Sequence, residues 1–132
     1  LFSIVGEVVK GDGRGTQIGF PTANIKTEAQ IFPPEGVYPV EVRVEGKTQY
    51  QGVLNFGRRP TFKGGDPQPV LEVHLLDYMG DLYGKTLEVF FYPRLRAERA
   101  FKGIAELQLQ ISKDIEAATR YFAQRKPGFE RL

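Results

Sequence analysis

The hydrophobic period of this chain changes once, near residue 100, and that change constrains the fold more than any other feature. Before it, apolar residues alternate with polar ones over short stretches punctuated by Gly and Pro, the pattern of strands and turns. After it, Ile104, Leu107, Ile111, Ile115, Ala118 and Phe122 recur every three or four residues, one apolar stripe along a helix. Glu106, Gln110, Lys113, Asp114 and Glu116 occupy the remaining positions and are read as its polar side. Gly103 is a tolerable N-cap, Glu106 is half of a capping box, and Pro127-Gly128 is the stop signal.

Val37 to Val44 is the clearest strand. Val40, Val42 and Val44 point one way, and Glu41, Arg43 and Glu45 the other. Glu45-Gly46-Lys47 reads as a hairpin turn and Thr48 to Leu54 as the returning strand. Val70 to Leu76 and Thr86 to Tyr92 are two further strands. Gly64-Gly65-Asp66-Pro67-Gln68-Pro69 reads as a loop between them. A run of strands followed by one helix predicts a mainly β domain, a small antiparallel barrel with the helix packed on it. Closure would leave no exposed sheet edge. The 132 residues suit one domain, barrel about 1–100 and helix about 103–125.

Composition narrows the chemistry. With no Cys and one His, thiolate catalysis, iron–sulfur clusters, Cys-ligated zinc and a multi-histidine metal centre are excluded. A net charge of +2 fits a small anionic ligand but is too weak for duplex nucleic acid. No apolar run approaches the ~20 residues that span a bilayer. The opening Leu1-Phe2-Ser3-Ile4-Val5 lacks a signal peptide's basic start and begins without Met. A cytoplasmic chain, processed or cut from something longer, is the expectation.

Four segments could carry chemistry. In Gly11-Asp12-Gly13-Arg14-Gly15 the glycines let backbone N–H groups approach an anion, with Arg14 as a cation among them. The bland reading is a tight turn. No Gly-Lys-Ser/Thr follows, so it is not a Walker A loop. In Pro21-Thr22-Ala23-Asn24, an extended backbone puts the Thr22 and Asn24 oxygens on one side, two neutral hard donors suited to Mg²⁺ arriving with a nucleotide. They could equally satisfy a turn. In Val70 to Asp77, Glu72 and His74 share the face opposite Leu71, Val73 and Leu75. A carboxylate there could take a proton from a substrate hydroxyl, or simply be solvated. In Arg94 to Phe101, alternating Arg beside an aromatic could hold a planar anionic ligand, or form an ordinary basic connector.

Together these segments resemble the riboflavin kinase family from about Ile4 to Ala118. The strings that carry the resemblance are Gly-Arg-Gly and Gly-Phe-Pro-Thr-Ala-Asn within 13–24, Gly36-Val37-Tyr38, and Asn55-Phe56-Gly57-Arg58-Arg59-Pro60-Thr61-Phe62. Further along come Leu71 to Asp77, Asp81-Leu82-Tyr83-Gly84, and Leu95-Arg96 followed by Phe101. The Arg-Pro-Thr-Phe string is similar to the bacterial branch, where the kinase is usually the C-terminal module of a bifunctional riboflavin kinase/FMN adenylyltransferase. The resemblance implies a six-stranded antiparallel Greek-key barrel with a C-terminal helix. It also implies phosphorylation of the terminal ribityl hydroxyl of riboflavin by ATP, giving FMN and ADP, with Mg²⁺ required.

Carried over residue by residue, it makes Glu72 the catalytic carboxylate and Thr22 and Asn24 the magnesium residues. Gly11, Gly13, Arg14, Gly15, Thr22, Leu75, Asp77 and Tyr83 fall at the nucleotide, and Arg96, Arg99 and Phe101 at the flavin. Thr16-Gln17 stand where some relatives have a basic residue, and Arg14 is the local substitute. The glycine loops at 11–15 and 63–69 are expected to close over the substrates. The partners implied are riboflavin/FMN, ATP/ADP and an N-terminal FMN adenylyltransferase module, with no nucleic acid and no membrane. The alternative is a non-catalytic flavin-binding barrel, which would have no use for Thr22, Asn24 and Glu72 together.

Overall fold

The computed structural model describes residues 1–10, 20–59 and 64–125. Gly11, Gly13, Arg14 and Gly15, the segment 60–63 and the Pro127-Gly128 stop lie outside the described residues.

Seven strands and one helix follow one another: β1 Ser3–Val9, β2 Ala23–Thr27, β3 Gly36–Val44, β4 Thr48–Arg59, β5 Gln68–Leu75, β6 Thr86–Phe91, β7 Arg96–Ala97 and α1 Ile104–Gln124. Every pairing is antiparallel. The neighbours run β3-β4-β5-β2-β1-β6 and back to β3, so six strands close on themselves. The expected six-stranded barrel is therefore present. To it the two-residue β7 is added, beside the start of β3 through Val37 and Arg96.

Alternation builds the interior. Ile4, Val8, Ile25, Val40, Val42, Leu54, Phe56, Leu71, Val73, Leu87 and Val89 are all buried in one cluster inside the barrel. A second, smaller cluster lies outside the wall, where Val37 of β3 and Val53 of β4 meet Ala118 of α1, flanked by Leu95 and Ile115. The strands β3 and β4 are thus covered on both faces, which is why β3 is buried along nearly its whole length.

Three expectations need correction. The returning strand after the hairpin runs on to Arg59, five residues past Leu54. Its Gly52 and Gly57 do not break it, because each marks a close approach: a Cβ on Gly52 would lie 2.7 Å from the His74 carbonyl, and one on Gly57 would collide with the Glu98 carboxylate. The next strand starts at Gln68, since Pro69, near the start of that strand, is tolerated there. Glu41 points away from Val40 and Val42, as expected, and on that side it is buried beneath α1's end, where it accepts a hydrogen bond from the Tyr92 hydroxyl. Asp114, read as part of the polar side of the helix, is also buried. The hairpin itself is as expected: Glu45 and Gly46 both have positive φ, 52° and 69°.

Candidate active site

Strand register assembles the site. Across the outer face of the sheet, Asn24 of β2 is the partner of Glu72 of β5, Glu72 of Asn55 of β4, Asn55 of Val37 of β3, and Val37 of Arg96 of β7. Directly opposed residues in antiparallel strands project from the same face. Five consecutive strands therefore place one acid between two carboxamides, with an arginine at the end of the row. The opposite faces of these strands carry Ile25, Leu71, Val73, Leu54 and Phe56 into the barrel, which leaves the row no freedom to turn over.

Two clefts adjoin this row. The first, of about 520 Å³, lies between the sheet and the first turns of α1; Val37, Val53, Phe101, Ile104, Leu107 and Ile111 give it an apolar lining, and Asn55 and Glu72 are among its polar groups. The second, of about 690 Å³, is lined by Lys10, Pro21, Asn24, Leu75, Tyr83 and others between β1, β2 and the segment after β5. Thr22 and His74 line both. They form the seam at which something held in one cleft can reach something held in the other.

His74 fixes that seam. Its Nδ1–H donates to the Pro21 carbonyl at 2.7 Å, and its ring meets Phe20 edge-on at 6.3 Å between centroids. A carbonyl oxygen can only accept, so Nδ1 carries the proton. Glu72 is a fifth exposed and accepts from Arg59 Nη2 at 3.2 Å. The Asn55 amide donates to Glu98, whose carboxyl is pushed above the ordinary range mainly by desolvation, with the Asn55 bond and Arg96 opposing.

At the helix side, Arg96 lines the first cleft, but its guanidinium is held by Asp114, Nε to Oδ1 at 2.9 Å and Nη2 to Oδ2 at 2.8 Å. It braces α1 against β7. Arg99 is turned toward α1 as well, donating to Glu106 at 3.0 Å and Gln110 at 3.3 Å, with its guanidinium 4.7 Å from the Phe101 centroid. Phe101 is thus roofed by cations at the cleft wall. In the second cleft, Lys10 Nζ stands 5.5 Å from the Tyr83 ring. Asp77 lies beyond its lining, in the turn after β5 with φ 55°.

The structure brings Thr22, Asn24, Glu72, Leu75, Tyr83, Arg96, Arg99 and Phe101 around the two clefts and leaves Asp77 just outside. Sequence reasoning assigned no role to Asn55, Arg59 or Glu98. Asn55 faces outward among residues that read as an inward run, and only the register with Glu72 reveals it. Among the described residues no group of three or more His, Asp or Glu forms a metal cage. The neutral donors of Thr22 and Asn24, beside the second cleft, suit a hard cation that arrives already coordinated by phosphates. No helix of the described residues is long and apolar enough to cross a membrane.

The family model for riboflavin kinase matches residues 1–122. The bifunctional riboflavin kinase/FMN adenylyltransferase of Bacillus subtilis is 47% identical over 124 residues, which are 92% of this chain and 39% of that protein. The chain thus spans about two-fifths of the length of the curated relatives it matches. Among solved structures, a Streptococcus pneumoniae chain described as a macrolide-efflux protein matches 89% of this chain and 38% of its own, with a TM-score of 0.81 and 32% identity. The riboflavin kinase of Trypanosoma brucei matches 92% of this chain and 80% of its own with a TM-score of 0.62; at 21% identity the likeness is one of fold.

Proposed function

The chain belongs to the riboflavin kinase family, and from that premise we propose that it transfers the γ-phosphoryl group of ATP, across the seam between its two clefts, to the terminal ribityl hydroxyl of riboflavin. The products are FMN and ADP. The observation that carries the reading is the pair of clefts meeting at Thr22 and His74, with Glu72 on the wall of one and its register partner Asn24 on the wall of the other.

The first cleft suits a flavin. Much of its wall is apolar and aromatic, as a tricyclic ring requires, and Thr22, Glu72 and His74 stand at the seam end, where a polyol chain would run. The second cleft takes the nucleotide, with Tyr83 and Lys10 at its rim. Phosphoryl transfer asks for alignment and charge neutralisation more than for covalent chemistry. Glu72 orients the attacking hydroxyl and accepts its proton as the new P–O bond forms. Arg59 holds the carboxylate in place before substrate arrives. Thr22 and Asn24 are the residues that would hold Mg²⁺, which when bound supplies positive charge to the phosphate oxygens. His74, through Pro21, keeps Thr22 at the seam. Phe101, with Arg99 stacked on it, forms the end wall for the flavin ring, and Arg96 acts by holding α1 over the cleft.

Because the curated relatives are bifunctional and about two and a half times as long, an FMN adenylyltransferase module is proposed to accompany this domain in the whole protein. The protein is read as cytoplasmic. The test is to incubate the purified chain with riboflavin and ATP, with and without Mg²⁺, and to separate the flavins by chromatography. FMN formed only with the metal is the expected result. Flavin retained without turnover under every condition would favour a binding module instead.

A further inference from the structure

Asn55 has an unmet valence. Its Oδ1 is buried and finds no hydrogen-bond partner among the described residues. Its amide nitrogen donates to Glu98, and that bond decides which way the carboxamide faces, since a carboxylate accepts and does not donate. The Glu98 carboxylate lies against Gly57, in the space that a Cβ there would take. Glycine at 57 therefore makes room for Glu98, Glu98 takes the amide N–H, and Oδ1 is left as an acceptor with nothing to accept. A buried acceptor in that state is destabilising, so it marks a place where a donor is missing.

The missing donor can be placed. Asn55 lines the first cleft and is the register partner of Glu72, about 5 Å away between Cβ atoms. It stands one strand further from the seam than the acid that takes the terminal hydroxyl. A polyol chain leading from the seam into the apolar cleft passes it with hydroxyls that can donate. We propose that Asn55 Oδ1 accepts a hydrogen bond from a non-terminal hydroxyl of the ribityl chain, with Glu98 as the positioning residue that fixes the amide. The pair then selects flavins by their polyol rather than by their ring. This rests on the flavin lying in the first cleft, as proposed above.

The experiment measures binding of riboflavin and of lumiflavin, which has the same ring and no polyol, to the parent chain, Asn55→Ala, Asn55→Leu and Phe101→Ala. The parent prefers riboflavin. Both Asn55 variants narrow that preference by about tenfold, by weakening riboflavin and leaving lumiflavin unchanged. The Leu variant keeps the side-chain volume, so a loss common to both is not a packing defect. Glu98→Ala weakens riboflavin in the parent and adds nothing in the Asn55→Ala background. Phe101→Ala weakens both flavins alike.

If Phe101→Ala weakens both while the Asn55 variants leave the preference intact, the Asn55 assignment is wrong and the cleft assignment stands. If Phe101→Ala affects neither, the flavin does not lie there and both readings fall together.

Discussion

Glu72 illustrates how little a single residue's identity says without its neighbours. On β5 it is one outward-facing acid next to one outward-facing histidine. Register converts it into an acid between two carboxamides, at the meeting of two clefts. In the proposed role of base for an alcohol, it would contribute about 10²–10⁴-fold in rate, or roughly 3–5 kcal/mol. Glu72→Gln therefore lowers kcat by that order while leaving ADP affinity within about threefold, as steady-state kinetics and a nucleotide titration would show. Glu98 offers a test through pH. Its carboxyl binds a proton more tightly folded than unfolded, so its contribution to stability is present at low pH and is lost as pH rises above the ordinary glutamate range. Glu98→Gln removes that loss: its melting temperature matches the parent near pH 4 and exceeds it at pH 7. A gain independent of pH would contradict the assigned cause. At this scale alternation put Glu72 on an outward strand face and spacing put Thr22 and Asn24 two residues apart, and the family strings singled them out for the roles proposed above. It did not disclose Asn55 or Glu98, whose meaning arises only where β4 passes the chain after β7.

At the scale of elements, α1 matters because it forms one wall of the first cleft. Its apolar stripe was legible, but burial along it is graded: Ile104 is 65% exposed, while Ala118 is fully buried. The N-terminal turns stand over the cleft rather than on the sheet, which is why their apolar side chains are left partly uncovered. Two polar anchors hold the helix. One is the Arg96–Asp114 pair, to which Gln110 also donates at 2.9 Å. The other is at its end, where the Arg125 guanidinium lies 3.9 Å from the Tyr92 ring centroid above buried Glu41. Asp114→Asn leaves the partly buried Arg96 without its counter-charge and costs about 3 kcal/mol. Urea unfolding would register it, together with weaker riboflavin binding. An unchanged midpoint would mean that the Arg96–Asp114 pair does not hold the helix. A buried aspartate on an apparently polar helix side cannot be recognised before its arginine is known to lie beneath it. Likewise β7, two residues long, has no period to read.

For the molecule as a whole, the barrel is the device that lets residues from Asn24 to Arg96 line up in one row. Closure was legible from the succession of strands and from the family strings, and the inward residues follow the alternation. The interior has the usual consequence: Leu71→Ala, behind Glu72, leaves a cavity and costs about 2–5 kcal/mol in chemical denaturation, and it slows turnover by loosening the row. What sequence could not supply is the seam, because two clefts meeting at Thr22 and His74 is a property of the closed sheet with its helix. The measurement that bears most directly on this account is a crystal structure of the chain with riboflavin, ADP and Mg²⁺. The flavin ring should lie beside Phe101 under α1 and the adenine beside Tyr83, with the terminal ribityl oxygen about 2.6–3.2 Å from the Glu72 carboxylate. A ribityl terminus directed away from Glu72, or both ligands sharing one cleft, would contradict it.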